Sequence, residues 1–347
     1  MVTRRGFLQV CGLGLAAVAC SPASPAPAPT AAPTAAPAST EALASIKIVY
    51  TQPAAAFMSL WIASDQGLFK KYGLADADVA RVAPPADIQG LLTGEFHFSV
   101  DGSAGVAAAA RGADLTYIGS PLPYYAQALY ADPSIERVAD LVGKSVGATT
   151  QGGSSDNALR TLLAREGVDA ALLNIVYLRD DAGILAAVQS RVVQAAMMTS
   201  PNTLRAGQAG YKELQNLVPL RLRTINQGLL VKKSWAQQNE QTVLGFLQAF
   251  MEGIRTAKTN PELAKQIITK YTQLEDQAQL DDSYKNATSS MVVYPILTDA
   301  SVQNVLDMAV EPEIKAHKPS EFYDNSYLQK LEPFAKTLFP DGVIPAE

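Results

Sequence analysis

Hydrophobic and polar positions along this chain follow two different periods. Ile46-Lys47-Ile48-Val49-Tyr50 is a short β-branched run that predicts a first strand, and Val79–Ala83, Phe96–Val100 and Leu115–Ile118 predict three more. Between them, Phe57–Tyr72 reads as helix with Met58, Trp61 and Ile62 on one face. Ile88–Leu92 predicts a short helix ended by Gly94, and Ala104–Arg111 another ended by Gly112. A second block starts near Val138. Strands are predicted over Val146–Thr149, Ile175–Leu178 and Ala195–Met198, with one helix running through Arg165 and an amphipathic one over Ile184–Val192. Leu229-Leu230-Val231 is strand-like again. From Gln241 the chain turns helical, with Phe246, Phe250 and Ile254 at i, i+4 and i+8. Strands alternating with short helices predict parallel sheets flanked by helices, and two such blocks with a helical tail predict two lobes.

The first 45 residues follow neither period. Arg4 and Arg5 precede an uncharged, largely apolar run to Ala19, too short for the ~20 residues a membrane-crossing helix needs. Arg4-Arg5-Gly6-Phe7-Leu8 resembles a twin-arginine export signal; an ordinary secretory signal carrying two arginines is the alternative. Ala17-Val18-Ala19-Cys20 resembles a bacterial lipobox, which implies cleavage before Cys20 and its acylation, including palmitate-type chains. Ala17 stands where Leu is more usual, and cleavage elsewhere is the alternative. Several acyl chains anchor stably, at ~0.8 kcal/mol per buried CH₂. Residues 21–40 are uncharged and rich in Pro and Ala, so they bury no core and favour polyproline II. At ~3.1 Å per residue that segment reaches at most roughly 60 Å. The expected organisation is a signal over 1–19 and a lipidated Cys20 with its tether over 20–45.

The full chain has 347 residues, 48% of them apolar, enough for more than one small core. Its formal charge of −5 becomes −7 once residues 1–19 and their two arginines are removed. That excludes a general affinity for nucleic acid, because no basic excess exists to neutralise phosphates. Two cysteines and two histidines exclude a disulfide scaffold and speak against a zinc site. With Cys11 discarded and Cys20 acylated, no thiol is left for chemistry. No cofactor or metal is expected.

The segment Ala63-Ser64-Asp65-Gln66-Gly67-Leu68-Phe69-Lys70-Lys71-Tyr72-Gly73-Leu74 resembles a pattern, A-x-x-x-G-[LF]-F-x-K-x-G-L, of bacterial ABC-importer solute-binding lipoproteins. These are the receptors for thiamine pyrimidine precursors, riboflavin, alkanesulfonates, taurine and nitrate. Asp140-Leu141-Val142-Gly143-Lys144-Ser145-Val146-Gly147 is similar to that class's entry into its second lobe. The resemblance covers roughly residues 46–320 and identifies the class better than the ligand. It implies an α/β, two-lobed periplasmic-binding-protein fold of type II, each lobe a mainly parallel sheet flanked by helices. Lobe one would comprise 46–125 plus 228–340 and lobe two 135–225, with hinges near Pro121–Pro133 and Thr224–Gly228. The lobes would close on a solute and present it to a membrane permease driven by a separate ATPase.

Candidate contacts lie at strand ends and presumed crossings. Gln151-Gly152-Gly153-Ser154-Ser155 follows a strand and opens a helix, so its N–H groups and hydroxyls suit an anion or carbonyl oxygen, unless Ser or Asp156 merely caps the helix. Asp101 ends a strand and can accept from an amine, amide or hydroxyl, or cap the next helix. Facing the cleft, it would disfavour a bare anion such as nitrate. Tyr124 and Tyr125, with Tyr130 nearby, can stack on a flat heterocycle, whereas Trp61 fits core packing at least as well. Gln52, Asn202 and Gln227 occupy similar strand ends or crossings. Val138–Ser145 misses a phosphate-binding loop by its first glycine, consistent with an ATPase on another subunit. His97 and His317 have no nearby triad or metal pattern, and without a free cysteine the chain does not suit the related cysteine-dependent pyrimidine synthase.

The expected function is therefore a non-enzymatic, lipid-anchored, extracytoplasmic receptor at the cell membrane. Stacking tyrosines, Asp101 and the lack of an evident arginine clamp favour a polar aromatic vitamin, riboflavin first and then a thiamine pyrimidine precursor. Alkanesulfonate, taurine or nitrate is the alternative, and a lipid-anchored sensory or structural protein is the alternative of another class.

Overall fold

The computed structural model describes residues 45–340 except residue 180, so the signal, Cys20 and the tether lie outside the described residues. Two five-stranded sheets organise the rest. The first runs β2 (Ala77–Arg81), β1 (Ile46–Tyr50), β3 (Phe98–Asp101), β10 (Arg223–Lys232) and β4 (Leu115–Tyr124). The second runs β7 (Asn174–Tyr177), β6 (Ser145–Ala148), β8 (Ala195–Met198), β5 (Ala128–Ala131) and β9 (Lys212–Asn216). β1 pairs in parallel with β2 and β3, and β6 with β7 and β8. β10 runs antiparallel to β3 and β4, and β5 antiparallel to β8 and β9. Each lobe is thus a mixed sheet, in which a strand arriving from the other lobe is the antiparallel one.

Two of these strands are longer than their apolar runs predict. β4 continues through Pro121 and Pro123 to Tyr124. It is the edge of its sheet, where a missing N–H breaks no ladder on the open side. β10 extends back to Arg223 and takes in Gln227-Gly228, with register shifts against β4. Thr224–Gly228, expected as the second hinge, therefore lies inside a strand. The chain leaves sheet one over Tyr125–Gln127 and returns over Leu217–Leu222. The two crossings run side by side, with Tyr125 N–H donating to Leu222 O at 3.3 Å and Leu217 N–H to Gln127 O at 3.0 Å.

Lobe one's core lies between its sheet and the C-terminal helices. Phe246, Phe250 and Ile254 are buried on the Glu240–Thr259 helix as their spacing requires, and the Phe246 ring stacks on Phe98 with centroids 3.9 Å apart. The predicted Phe57–Tyr72 helix is two pieces, Met58–Asp65 and Leu68–Lys71. Gly67, at φ 65°, supplies the left-handed residue between them, a conformation other residues adopt at a cost. Lobe two's core gathers Leu129, Val146, Leu159, Leu162 and Met197 around the Ser154–Arg165 helix.

Candidate functional site

The carboxyl ends of β1, β3, β6 and β8 meet across a cleft of about 100 Å³. Lobe one contributes Thr51 and Gln52 after β1, Asp101 and Gly102 at the end of β3, and Asn226 and Gln227 on β10. Lobe two contributes Thr149, Thr150, Gly153, Ser154 and Ser155 after β6, Arg179 after β7, and Thr199 and Ser200 after β8. Phe57 is the aromatic among these lining residues. Parallel strands explain the convergence, since their loops emerge on one side and a crevice forms there.

The opening of the Ser154–Arg165 helix has the geometry of an acceptor site. Gly153 stands at the N-cap with no side-chain cap, so the first-turn N–H groups lack the partner an Asp or Ser cap would supply. Asp156 does not cap. It accepts from Gly152 N–H at 2.9 Å and from Arg160 Nε at 3.0 Å. Ser155 Oγ is engaged by Thr149, accepting its N–H at 2.8 Å and lying 2.7 Å from its Oγ1. Arg179, at φ 69°, brings a cation to the same face of the cleft. No arginine clamp is evident from the sequence at this position. The residue stands between a strand and a helix with nothing local to mark its direction.

Asp101 sets the opposite wall. It is 7% exposed, its Oδ2 is buried without a hydrogen-bond partner among the described residues, and burial pushes its carboxyl from 3.8 to about 7. The neighbouring Asp87 carboxylate raises it further, while the Gly102 N–H and the Thr51 hydroxyl pull it down. Asp87 is itself raised by burial and accepts from Ser99 Oγ at 2.9 Å. Gln227 is 2% exposed. Its Nε2 donates to Ala56 O at 3.1 Å and its Oε1 is buried without a partner among the described residues.

Contacts across the cleft hold the lobes against each other. Ser154 Oγ donates to Asn226 O at 2.8 Å, and Ser103 Oγ to Gly152 O at 3.0 Å. Asn157 Nδ2 donates to Ser103 Oγ at 2.8 Å, Ser200 Oγ to Asp282 Oδ2 at 2.6 Å, and Arg205 Nε to Gln279 Oε1 at 2.7 Å. A second hollow of about 250 Å³ opens beside the cleft and shares Gln52, Ala54, Ala55, Ser200 and Ser283 with it.

Of the sequence candidates, Gln52, Asp101, Gly153, Ser154, Ser155 and Gln227 line the cleft. Asn202 is buried and lines the neighbouring hollow instead. The aromatic candidates are elsewhere. Trp61 is 0% exposed and stacks on Tyr271, centroids 4.7 Å apart, because its helix face turns to the core. Tyr125 is buried at the crossing, its hydroxyl 2.9 Å from Thr161 Oγ1 and donating to Asn304 Oδ1 at 2.7 Å. Tyr124 lies under the Arg221 guanidinium, 4.0 Å from its ring centroid. Tyr130 donates to Glu213 at 3.0 Å. None of these tyrosines is among the residues that line the cleft.

The remaining motifs sit away from the cleft. His97 accepts from Lys47 N–H at 3.0 Å and packs on Trp235, while His317 lies 2.8 Å from Glu321. Val138–Leu141 is a short turn leading into β6. No group of His, Cys, Asp and Glu among the described residues has the spacing to hold a metal ion, and no described helix is long and apolar enough to cross a membrane.

Residues 54–264 match the family described as NMT1/THI5 like. A Brucella abortus (strain 2308) protein that bears the name "Putative binding protein BAB2_1146" is 27% identical over 252 residues, covering 71% of this chain and 77% of that one. The periplasmic aliphatic sulphonate binding protein SsuA from Escherichia coli shares the fold with a TM-score of 0.66 at 24% identity, over 82% of this chain and 99% of that chain. The periplasmic nitrate-binding protein NrtA from Synechocystis PCC 6803 shares it with a TM-score of 0.69 at 16% identity, over 87% and 91%.

Proposed function

The chain belongs to the NMT1/THI5-like family, and we propose that it is the extracytoplasmic solute-binding component of an ABC-type importer. It closes two lobes on a small polar solute and hands it to a membrane permease powered by a separate ATPase subunit. The observation that carries this reading is the cleft itself, where strand-end loops of two lobes meet and polar groups of both converge. The family's importer receptors and the names of its structural neighbours support it. The site holds side chains that bind and orient; no reaction is assigned to it.

For the solute, the geometry favours an organic oxyanion of alkanesulfonate or taurine size over a flat vitamin. An uncapped helix start and Arg179 supply donors and positive potential on one wall. Drug-sized ligands fill roughly 300–1,000 Å³, against about 100 Å³ here. The tyrosines expected to stack on riboflavin or a thiamine pyrimidine precursor lie outside the cleft. The adjoining hollow of about 250 Å³ is the observation that favours the vitamin reading, because a longer heterocycle can extend into it.

Residues 41–347 should be purified and screened by thermal shift, where binding raises the transition by mass action. Alkanesulfonates raising it while riboflavin and pyrimidines leave it unmoved supports the anion reading; the reverse restores the vitamin one. Cys20 is proposed as the lipid attachment site. Cys20→Ser should release the protein from membranes, and a processed product that stays membrane-bound refutes the anchor.

A further inference from the structure

The Ser154–Arg165 helix has two buried faces of opposite character. Ala158, Leu159, Leu162 and Leu163 enter the core of lobe two. Ser154, Asn157 and Thr161, at i, i+3 and i+7, share another face, and that one meets lobe one. Ser154 Oγ donates to Asn226 O beside the cleft, and Asn157 Nδ2 to Ser103 Oγ one turn on. A further turn on, Thr161 Oγ1 donates to Asn304 Oδ1 of the Asp299–Met308 helix at 3.3 Å. Asn157 is 1% exposed and Thr161 6%, so lobe one covers this polar stripe.

Tyr125 completes the far end of the seam. Its ring lies in the core of lobe two, while its hydroxyl donates to the same Asn304 Oδ1 at 2.7 Å. One acceptor of lobe one thus receives two hydroxyls rooted in lobe two. Thr161, Tyr125 and Asn304 are not among the residues that line the cleft.

We propose that Thr161, Tyr125 and Asn304 are positioning residues, a latch that sets how much of the protein stands closed and thereby how tightly solute is held, without touching the solute. This inference rests on the reading of the cleft as the solute site.

The chemistry of the seam is that of a contact made to part. Each hydrophobic cluster among the described residues belongs to one lobe, and the crossing residues Tyr125 and Leu217 fall in that of lobe two. No shared apolar core therefore fastens the lobes. Side chains buried in every state are mostly apolar, whereas hydroxyls and amides exchange a protein partner for water when a surface opens. That exchange keeps the net worth of each bond small, so the seam can open. Bonds made only in the closed arrangement raise its population, and the apparent dissociation constant varies inversely with the closed fraction.

The test uses residues 41–347, which contain every described strand and helix and neither cysteine. Spin labels on Gln208→Cys and Glu275→Cys, exposed positions near the contact of Arg205 with Gln279, report the distance between lobes by pulsed electron resonance without solute. Thr161→Val and Tyr125→Phe should each lower the ratio of short to long distances roughly two- to tenfold, and the double variant more. Thr161→Ser, which keeps the hydroxyl, should stay at the native ratio. The thermal transition should persist throughout, since Val and Phe keep the packing of lobe two. An unchanged ratio in the double variant overturns the latch, whatever the melting temperature does. Thr161→Ser falling as far as Thr161→Val also overturns it, because the loss then belongs to packing. A ratio that moves while every candidate solute fails to bind sustains the latch and removes the solute reading.

Discussion

A Cβ on Gly102 would project into the space held by Ser154 Oγ, which at the same time donates to Asn226 O at 2.8 Å. Backbone of one lobe and side chain of the other therefore approach as closely as a glycine permits. Gly102→Ala should force Ser154 out of its position and forfeit that bond, about 1 kcal/mol, or roughly a fivefold loss of closed state and of affinity. Small-angle scattering should report a more open average shape. In a Ser154→Ala background the same change should cost little further, and a fully additive double-mutant cycle would refute the contact as the cause.

The Asp101 carboxyl, raised from 3.8 to about 7, binds its proton more tightly folded than unfolded. Stability of the solute-free protein should consequently fall as pH rises from about 4 to about 7, by up to about 4 kcal/mol for a shift of this size, and level off above. Asp101→Asn should flatten that slope and melt higher than the native chain at pH 8. Chemical denaturation at pH 5, 6, 7 and 8 measures it, and an unchanged slope in the variant assigns the effect elsewhere.

Trp61 belongs to the core, with its ring against Tyr271 and Tyr50. Trp61→Ala should cost about 3–5 kcal/mol of stability. Trp61→Phe should be milder and leave solute affinity within twofold of native. A specific loss of affinity in the Phe variant, with the melting point retained, would return Trp61 to the site.

Gly253 lies where a Cβ would meet the backbone carbonyl of Ser59, so the Glu240–Thr259 helix packs on Met58–Asp65 through a bare glycine. Gly253→Ala should destabilise lobe one by about 1–3 kcal/mol despite alanine's better helix propensity. A melting temperature at or above native would show that the two helices can part without cost.

Much of this arrangement is written locally. Apolar runs such as Ile46–Tyr50 and Ala195–Met198 marked their strands, and Gln151–Ser155 was found because a glycine-serine turn between strand and helix is a local pattern. Lys212–Asn216 was missed because β9 is an edge strand of polar residues, formed by pairing with β5 rather than by its own propensity. The tyrosines misled for a related reason. Tyr124 and Tyr125 do sit at the first crossing, but whether a ring faces solute or neighbour depends on partners such as Arg221 and Asn304, distant in sequence. Asp101 and Gln227 are legible only as two separate strand-end residues; that their side chains leave opposite faces of sheet one needs the register of β10 against β3, which pairs Asp101 with Gly228.

That same insertion of β10 sets an order of assembly. Sheet two is built from one continuous stretch, β5 to β9, whereas sheet one waits for Arg223–Lys232 to slide between β3 and β4. A chain growing from its N-terminus can complete the second lobe while the first still shows two bare inner strand edges, the surfaces through which proteins aggregate. A product halted before Arg223 would carry one finished sheet and one open one. Protection of the nascent first lobe is thus a requirement of this topology for as long as β10 is unmade.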